Sequence, residues 1–248
     1  PLGQREEVEI VAVVAELAGP QNPEWADTAA HYLPALSHSF SQLLLTAGGV
    51  GAARQWRWWV GLAAKQARAL RRKRPPIINV KAQMRDLKMS RASMPPAEFA
   101  RACYQALAHG AGLKIPTFGM PALQNDPRTG DPRTMRAVAE VLGLMRQQEE
   151  VLDSMAPVAP VALVWPADIL WRYSLQDEAN WRLRQEFLGL YEGLRSRHVL
   201  FELVCDTNLQ EKAIDRYEVL ILPGATWLDT GQADVLAAYI RAGGRLVL

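Results

Sequence analysis

The sequence predicts an α/β protein with largely parallel sheets, on three observations. Short β-branched apolar runs alternate with longer segments of helical period, the succession that strand–helix–strand units produce. The later runs, spaced regularly by helical segments, read as strands buried on both faces. Between the two halves, Met155-Ala156-Pro157-Val158-Ala159-Pro160 places two prolines within four residues, which stops one element and spaces the next. The chain is therefore divided into residues 1–155 and 156–248.

The expected strands are residues 9–15, 77–82, 113–118, 161–165, 199–204 and 219–222. Residues 56–70 read as a helix. Arg68, Arg71, Arg72, Lys73 and Arg74 crowd its end, where cations oppose the negative helix pole before Pro75-Pro76 halts it. Ser93-Met94-Pro95-Pro96 is a start signal, a capping hydroxyl followed by prolines that need no donor in the first turn. Phe99, Ala102, Cys103, Ala106 and Leu107 then fall on one stripe at helical spacing. So do Val138, Val141, Leu142 and Met145 in 134–153, and Trp181, Phe187, Leu188, Tyr191 and Leu194 in 178–195. Thr230 is placed to cap a last helix carrying Val235, Leu236, Tyr239 and Ile240, which Gly243-Gly244 ends.

Composition narrows the function classes. Hydrophobic residues make up 49% and charged residues 22%, which excludes disordered, collagen-like and coiled-coil chains. A net charge of +2 gives no reason to expect nucleic acid or a membrane as partner. Cys103 and Cys205 sit in apolar runs and read as buried thiols, not as a disulfide or metal site. The chain opens Pro1-Leu2-Gly3 and closes on an apolar run, 246–248, so it is expected to be truncated at both ends. No export signal is visible, and a cytoplasmic location is the expectation.

Candidate chemistry gathers at strand ends, where parallel sheets meet their ligands. Glu16 stands where the first strand runs out, beside a loop that adds Glu24 and Trp25 and leads to His31 and His38. The structural alternatives are a Glu16 paired with a neighbouring cation and a Glu24 serving the loop. Lys81, Gln83 and Arg85 follow the next strand. A lysine on a strand buried on both faces needs an anionic partner or a cavity, while Arg85 and Asp86 could instead pair on the surface. His109, before Gly110 and Gly112 at a helix-to-strand turn, reads as a packing or capping residue on the far side from a barrel's active face. No phosphate loop, metal-spaced His pair, Gly-x-Ser-x-Gly elbow or Cys-His pattern occurs, so no cofactor and no metal is expected.

Read in order, Lys81-Ala82-Gln83, the helix end Gln105-Ala106-Leu107-Ala108-His109-Gly110-Ala111-Gly112, a strand to Phe118 and a Glu-rich helix resemble the end of the catalytic barrel of glycoside hydrolase family 42. Val158-Ala159-Pro160-Val161-Ala162-Leu163-Val164-Trp165, Leu170-Trp171-Arg172-Tyr173, Tyr217-Glu218-Val219-Leu220-Ile221-Leu222-Pro223 and Gly243-Gly244-Arg245-Leu246-Val247 are similar to the beta-galactosidase trimerisation domain, a flavodoxin-like module. The resemblance implies the C-terminal part of a (β/α)8 barrel in 1–155, with 77–82 near strand seven and 113–118 near strand eight. It implies an incomplete flavodoxin-like domain, also class I glutamine amidotransferase-like, in 156–248. Family members place a nucleophilic Glu at the end of strand seven, where this chain reads Lys81-Ala82-Gln83; a Gln amide cannot form the usual glycosyl ester. The acid/base Glu would lie upstream of residue 1.

The expectation is thus a glycoside-hydrolase-like protein with a carbohydrate ligand, Glu16 as catalytic carboxylate, and Glu24, Trp25, His31, His38, Lys81, Gln83 and Arg85 around the sugar. Homo-oligomer formation, as a trimer, is implied by the resemblance. The alternatives are a catalytically degenerate carbohydrate-binding or assembly protein, and a class I glutamine amidotransferase-like protein.

Overall fold

The computed structural model describes residues 11–15, 42–47, 58–70, 75–80, 94–115, 132–167, 177–209, 213–224 and 228–248. Two four-stranded sheets, each parallel throughout, account for every strand among them. The first runs β1 (Val11–Ala15), β2 (Gln42–Ala47), β3 (Ile77–Val80) and β4 (Gly112–Lys114) in sequential order. Helix α1 (Trp59–Leu70) joins β2 to β3, and α2 (Pro96–Ala108) joins β3 to β4. With right-handed crossovers, sequential order puts successive helices on one face and leaves the other face of the strands to a barrel interior.

β2 lies where no strand is expected from the sequence. Its Gln-Leu-Leu-Leu-Thr-Ala run has no β-branched residue but Thr46, so only pairing with β1 and β3 makes it a strand. Of the expected strands 9–15 and 77–82, residues 11–15 and 77–80 are described and form β1 and β3, and β4 stops before Pro116, which has no N–H for a ladder.

Two helices follow β4. α3 (Pro132–Gln147) and α4 (Glu149–Ser154) break at Gln148, where one continuous helix is expected. Thr134, Ala137 and Val141 are buried, and Val138 and Met145 pack at the margin. Leu142, expected inward, is 48% exposed. The expected cap Ser93 lies outside the described residues; Pro95 occupies the N-cap of α2 with no side-chain hydrogen bond. The α2 stripe is buried as predicted, at Phe99, Ala102, Cys103, Ala106 and Leu107.

The second sheet has the order β6 (Phe201–Cys205), β5 (Val161–Trp165), β7 (Val219–Ile221), β8 (Arg245–Val247). Numbered within the sheet, that is 2-1-3-4, the flavodoxin-like order. Reversal of direction at β5 sends the crossovers to opposite faces. Leu163, Trp165, Leu203 and Cys205 face one core with Phe187 and Tyr191 of α5 (Asp177–Ser196), while Ala162, Val164, Val204 and Leu220 face the other with Leu236 and Tyr239 of α6 (Thr230–Arg241). Both faces are therefore covered, which is why β5 reads as an unbroken apolar run. α6 is capped by Asp229, not by the expected Thr230, and Ile240, expected inward, is 49% exposed. Gly243, at φ +99°, turns the chain out of the helix in a conformation that a side chain would resist.

α1 lies in the core that the first sheet shares with one face of the second. It touches β2 and β3 on one side and β6 and α2 on others. Val60, Leu62, Ala63, Ala64, Lys65, Gln66 and Ala67 are all buried, so this stretch of the helix is enclosed on every side, and its alanines and Gly61 let three neighbours approach closely.

Candidate functional site

The inward and outward faces of the first sheet separate cleanly by register. Ile78, Val80 and Leu113 join the core beneath α1 and α2, so the alternate residues Ile77, Asn79, Gly112 and Lys114 lie on the opposite, inward face. Pairing places Thr46 beside Asn79 and Asn79 beside Lys114, with Ala15 beside Thr46. The outward positions of β3 and β4, Ile78, Val80 and Leu113, are apolar. Of their inward positions, Asn79 and Lys114 pair at the carboxyl end, with Thr46 of β2 in register beside Asn79. This is the end at which parallel barrels carry their chemistry.

Glu16, Glu24, Trp25, His31, His38, Lys81, Gln83 and Arg85, the residues singled out from sequence, all lie outside the described residues. In the chain, Glu16 directly follows the last residue of β1 and Lys81 the last of β3. Sequence reasoning assigned no role to Thr46 or Lys114. For Lys114 the signal is present: Pro116 two residues on ends the strand, leaving a strand-end cation of the same kind as Lys81.

A second polar constellation joins the two sheets at α1. The Lys65 ammonium donates to the Phe201 carbonyl, lies 4.2 Å from the centre of the Phe201 ring, and stands 3.6 Å from Glu202. Burial pulls the Lys65 pKa down; Glu202 opposes that, and Arg68 adds to it. Tyr191 stacks edge-on against Phe201 at 5.2 Å and lies 5.1 Å from Trp58. His109 ends α2 as expected of a capping residue, and its ring lies so close to Gly61 that a Cβ there would meet Nε2 at 2.9 Å. Burial, then Lys65 and Arg68, hold His109 down to about 4, so it is neutral near pH 7. Arg68 donates to the His109 carbonyl at 3.0 Å, and Asn208 to the Ala69 carbonyl at 2.7 Å. Each satisfies an acceptor at a helix C-terminus. Arg71 to Arg74 lie outside the described residues. This constellation is internal and cationic groups outnumber Glu202, so its chemistry is that of an interface.

A groove of about 1220 Å³ opens between the sheets, lined by Pro76, Gly112, Met145, Glu149, Val204 and Arg216 among others. Pro76 and Gly112 mark the amino ends of β3 and β4, so the groove is on the far side of the first sheet from the Thr46, Asn79, Lys114 row. Cys103 and Cys205 are free, buried thiols as expected; burial pushes Cys103 up to about 12 and Cys205 further still. Among the described residues no group of His, Cys, Asp and Glu is arranged to hold a metal ion, and no helix is long and apolar enough to cross a membrane.

Residues 159–248 match the family model described as the beta-galactosidase trimerisation domain. No curated protein matches the sequence significantly. Among solved structures, a catalytic mutant of a GH42 beta-galactosidase from G. stearothermophilus is similar at 16% identity and TM-score 0.68, over 86% of this chain and 33% of that one. The beta-galactosidase from Bacillus circulans sp. alkalophilus is similar at 15% identity and TM-score 0.69, with the same coverage. Alpha-L-fucosidase isoenzyme 2 from Paenibacillus thiaminolyticus follows at 16% identity and TM-score 0.53, over 92% of this chain and 37% of that one. The chain spans about a third of the length of these structures. Likeness at these identities establishes the fold: an arc of barrel-type strands followed by a flavodoxin-like sheet.

Proposed function

We propose that this chain is a glycoside-hydrolase-like protein acting on or binding a carbohydrate, with residues 1–155 as the C-terminal portion of a (β/α)8 barrel and 156–248 as the module through which copies associate. The observation that carries the reading is the succession, in one chain, of a sequentially ordered parallel arc and a 2-1-3-4 sheet whose residues 159–248 match the trimerisation-domain family. In this reading Glu16 supplies the catalytic carboxylate at the carboxyl end of β1. Glu24, Trp25, His31, His38, Lys81, Gln83 and Arg85 shape the sugar subsites, and hydrolysis of an O-glycosyl bond needs no cofactor.

The test is hydrolysis of a panel of aryl glycosides by the protein at the full length its gene encodes. Glu16→Gln lowers turnover by several powers of ten if its carboxylate does the chemistry. Undiminished activity removes Glu16 from the mechanism. Association as a trimer, in a cytoplasmic setting, completes the reading, and a monomer by light scattering contradicts it.

Gln83 supports a second reading. With an amide where the resembled enzymes place a nucleophilic carboxylate, the protein binds saccharide or serves assembly without turnover. It predicts saccharide binding and no hydrolysis of any glycoside.

A further inference from the structure

We propose that copies of this chain associate head to tail through the amino-end rim of the second sheet, the Val158 and Leu200 corner of one copy seating in a hollow beside Glu218 of the next. The inference rests on the association proposed above and deepens it by naming the surfaces that meet.

β5 and β6 start side by side, Val161 paired with Phe201, so Val158 and Leu200 lie at one corner of the sheet. Apart from Leu248, the last residue, they are the most exposed of the described large apolar side chains, at 82% and 63%. Single apolar residues at a surface need no explanation, but here Val199 is exposed as well, and the turn that carries it is strained. The Val199 N–H donates to the Leu194 carbonyl and the His198 N–H to that of Arg195, closing α5 with His198 at φ +56°. α6 ends in the same pair of bonds, from Gly244 to Tyr239 and from Gly243 to Ile240, with a glycine in the left-handed position. A side chain in that position costs about 1 kcal/mol that glycine does not. Strain of this kind gathers at functional surfaces.

The hollow lies on the same rim, at the amino ends of β7 and β8. It measures about 290 Å³ and is lined by Asp215, Glu218, Tyr239, Gly244 and Arg245 among others. Small-molecule sites begin at roughly 300 Å³, so it suits a few side chains of a neighbour better than a ligand. Its two carboxylates outnumber Arg245, and Arg216 donates to the Tyr217 hydroxyl and lines the groove between the sheets instead. On the corner side the charges are cationic: Arg195, over the Trp58 ring, and Arg197, in the turn before Leu200. Among the described residues, none of Arg197, Asp215 and Glu218 has an ion-pair partner within the chain. An apolar corner with a cation beside it and a hollow with an acidic edge are complementary in shape and in charge. Unlike patches side by side suit a rotational axis close to the rim, around which the corner of each copy meets the hollow of the next; a two-fold axis would pair each patch with itself.

Sedimentation velocity on a dilution series of the protein, at the full length its gene encodes, tests this. The wild type is expected to be a trimer. Leu200→Glu and Arg197→Glu each raise the concentration at which it dissociates at least about tenfold. Arg197→Glu combined with Glu218→Arg returns that concentration to within about threefold of the wild type, because every contact then pairs the reversed charges. Recovery requires folded protein, so lost contact and lost fold are told apart. A trimer that Leu200→Glu and Arg197→Glu leave unchanged overturns the inference and leaves association through residues 156–248 standing. So do a double variant no better than Arg197→Glu and a wild-type dimer. A wild type that is monomeric overturns both.

Discussion

Asp229 and Gln232 hold the first turn of α6 reciprocally: the Gln232 backbone N–H donates to Asp229 Oδ1 at 2.7 Å, and the Asp229 backbone N–H donates to Gln232 Oε1 at 3.0 Å. Two donors left over at the helix start are thereby satisfied. Asp229→Ala is expected to destabilise the protein by about 1 kcal/mol. Thr230→Ala, at the first helical position, stays within about 0.5 kcal/mol. Urea denaturation of the two variants separates them, and equal losses would show that the carboxylate is not the cap.

Lys65 and Glu202 are worth more together than either is alone. Lys65→Met leaves a buried carboxylate with its cation gone, and the expected cost is about 3–5 kcal/mol. The double variant Lys65→Met, Glu202→Leu recovers most of that loss, because no charge remains to be desolvated. A double-mutant cycle by chemical denaturation gives the coupling. Additive losses would mean that the pair does not interact.

His109 makes stability depend on pH in a known direction. Its folded pKa, about 4, lies below the unfolded value of 6.5, so the native state refuses a proton that the unfolded chain accepts. Stability is complete above pH 6.5 and falls as pH drops toward 4, by about 3 kcal/mol from this group. His109→Gln removes that part of the slope. Identical pH profiles of wild type and variant would contradict the assignment.

Cys103 and Cys205 are expected to be inert. With Cys103 pushed up to about 12 by burial, and Cys205 raised further by burial and the Asp206 carboxylate, the native protein carries almost no thiolate at pH 8. A thiol-reactive chromogen titrates neither until denaturant is added, and then both. Reaction of either one in the native protein would place it nearer the surface than the structure does.

Gly61→Ala tests the packing of α1. An exposed helical Gly gains roughly 0.5–1 kcal/mol on replacement by Ala. Here the new methyl meets the His109 ring, so a loss of about 1–3 kcal/mol is expected instead. A gain, measured by thermal denaturation, would show that the imidazole moves aside freely.

Sequence reads out those parts of this fold that are set locally. Residues 161–165 form a strand between two prolines at the predicted bounds, and the α2 stripe is buried at all five predicted positions. β2 escaped because three consecutive leucines suit a helix as well as a strand, and only the neighbours on either side decide. Leu142 and Ile240 lie at the margins of their stripes, where a shift of one helical position separates core from solvent. Thr230 and Asp229 are adjacent and both can cap, so composition alone does not choose between them. Lys65 and Glu202 lie 137 positions apart, and each announced itself only as a charge inside an apolar run. At the candidate site the residues singled out at the strand ends lie outside the described residues, and the pairing of Asn79 with Lys114 emerges only from register.

A helix with no solvent face has no position free to drift. On α1, a larger side chain at Gly61 must be answered by a smaller one at His109 within the first half, and a change at Lys65 by one at Phe201 or Glu202 across the boundary between the sheets. The two halves are thus held together through α1, and a piece put in place of either must fit its half of α1's surroundings. Chimaeras joined near residues 155–160 should fold only when α1 and β6 come from the same parent.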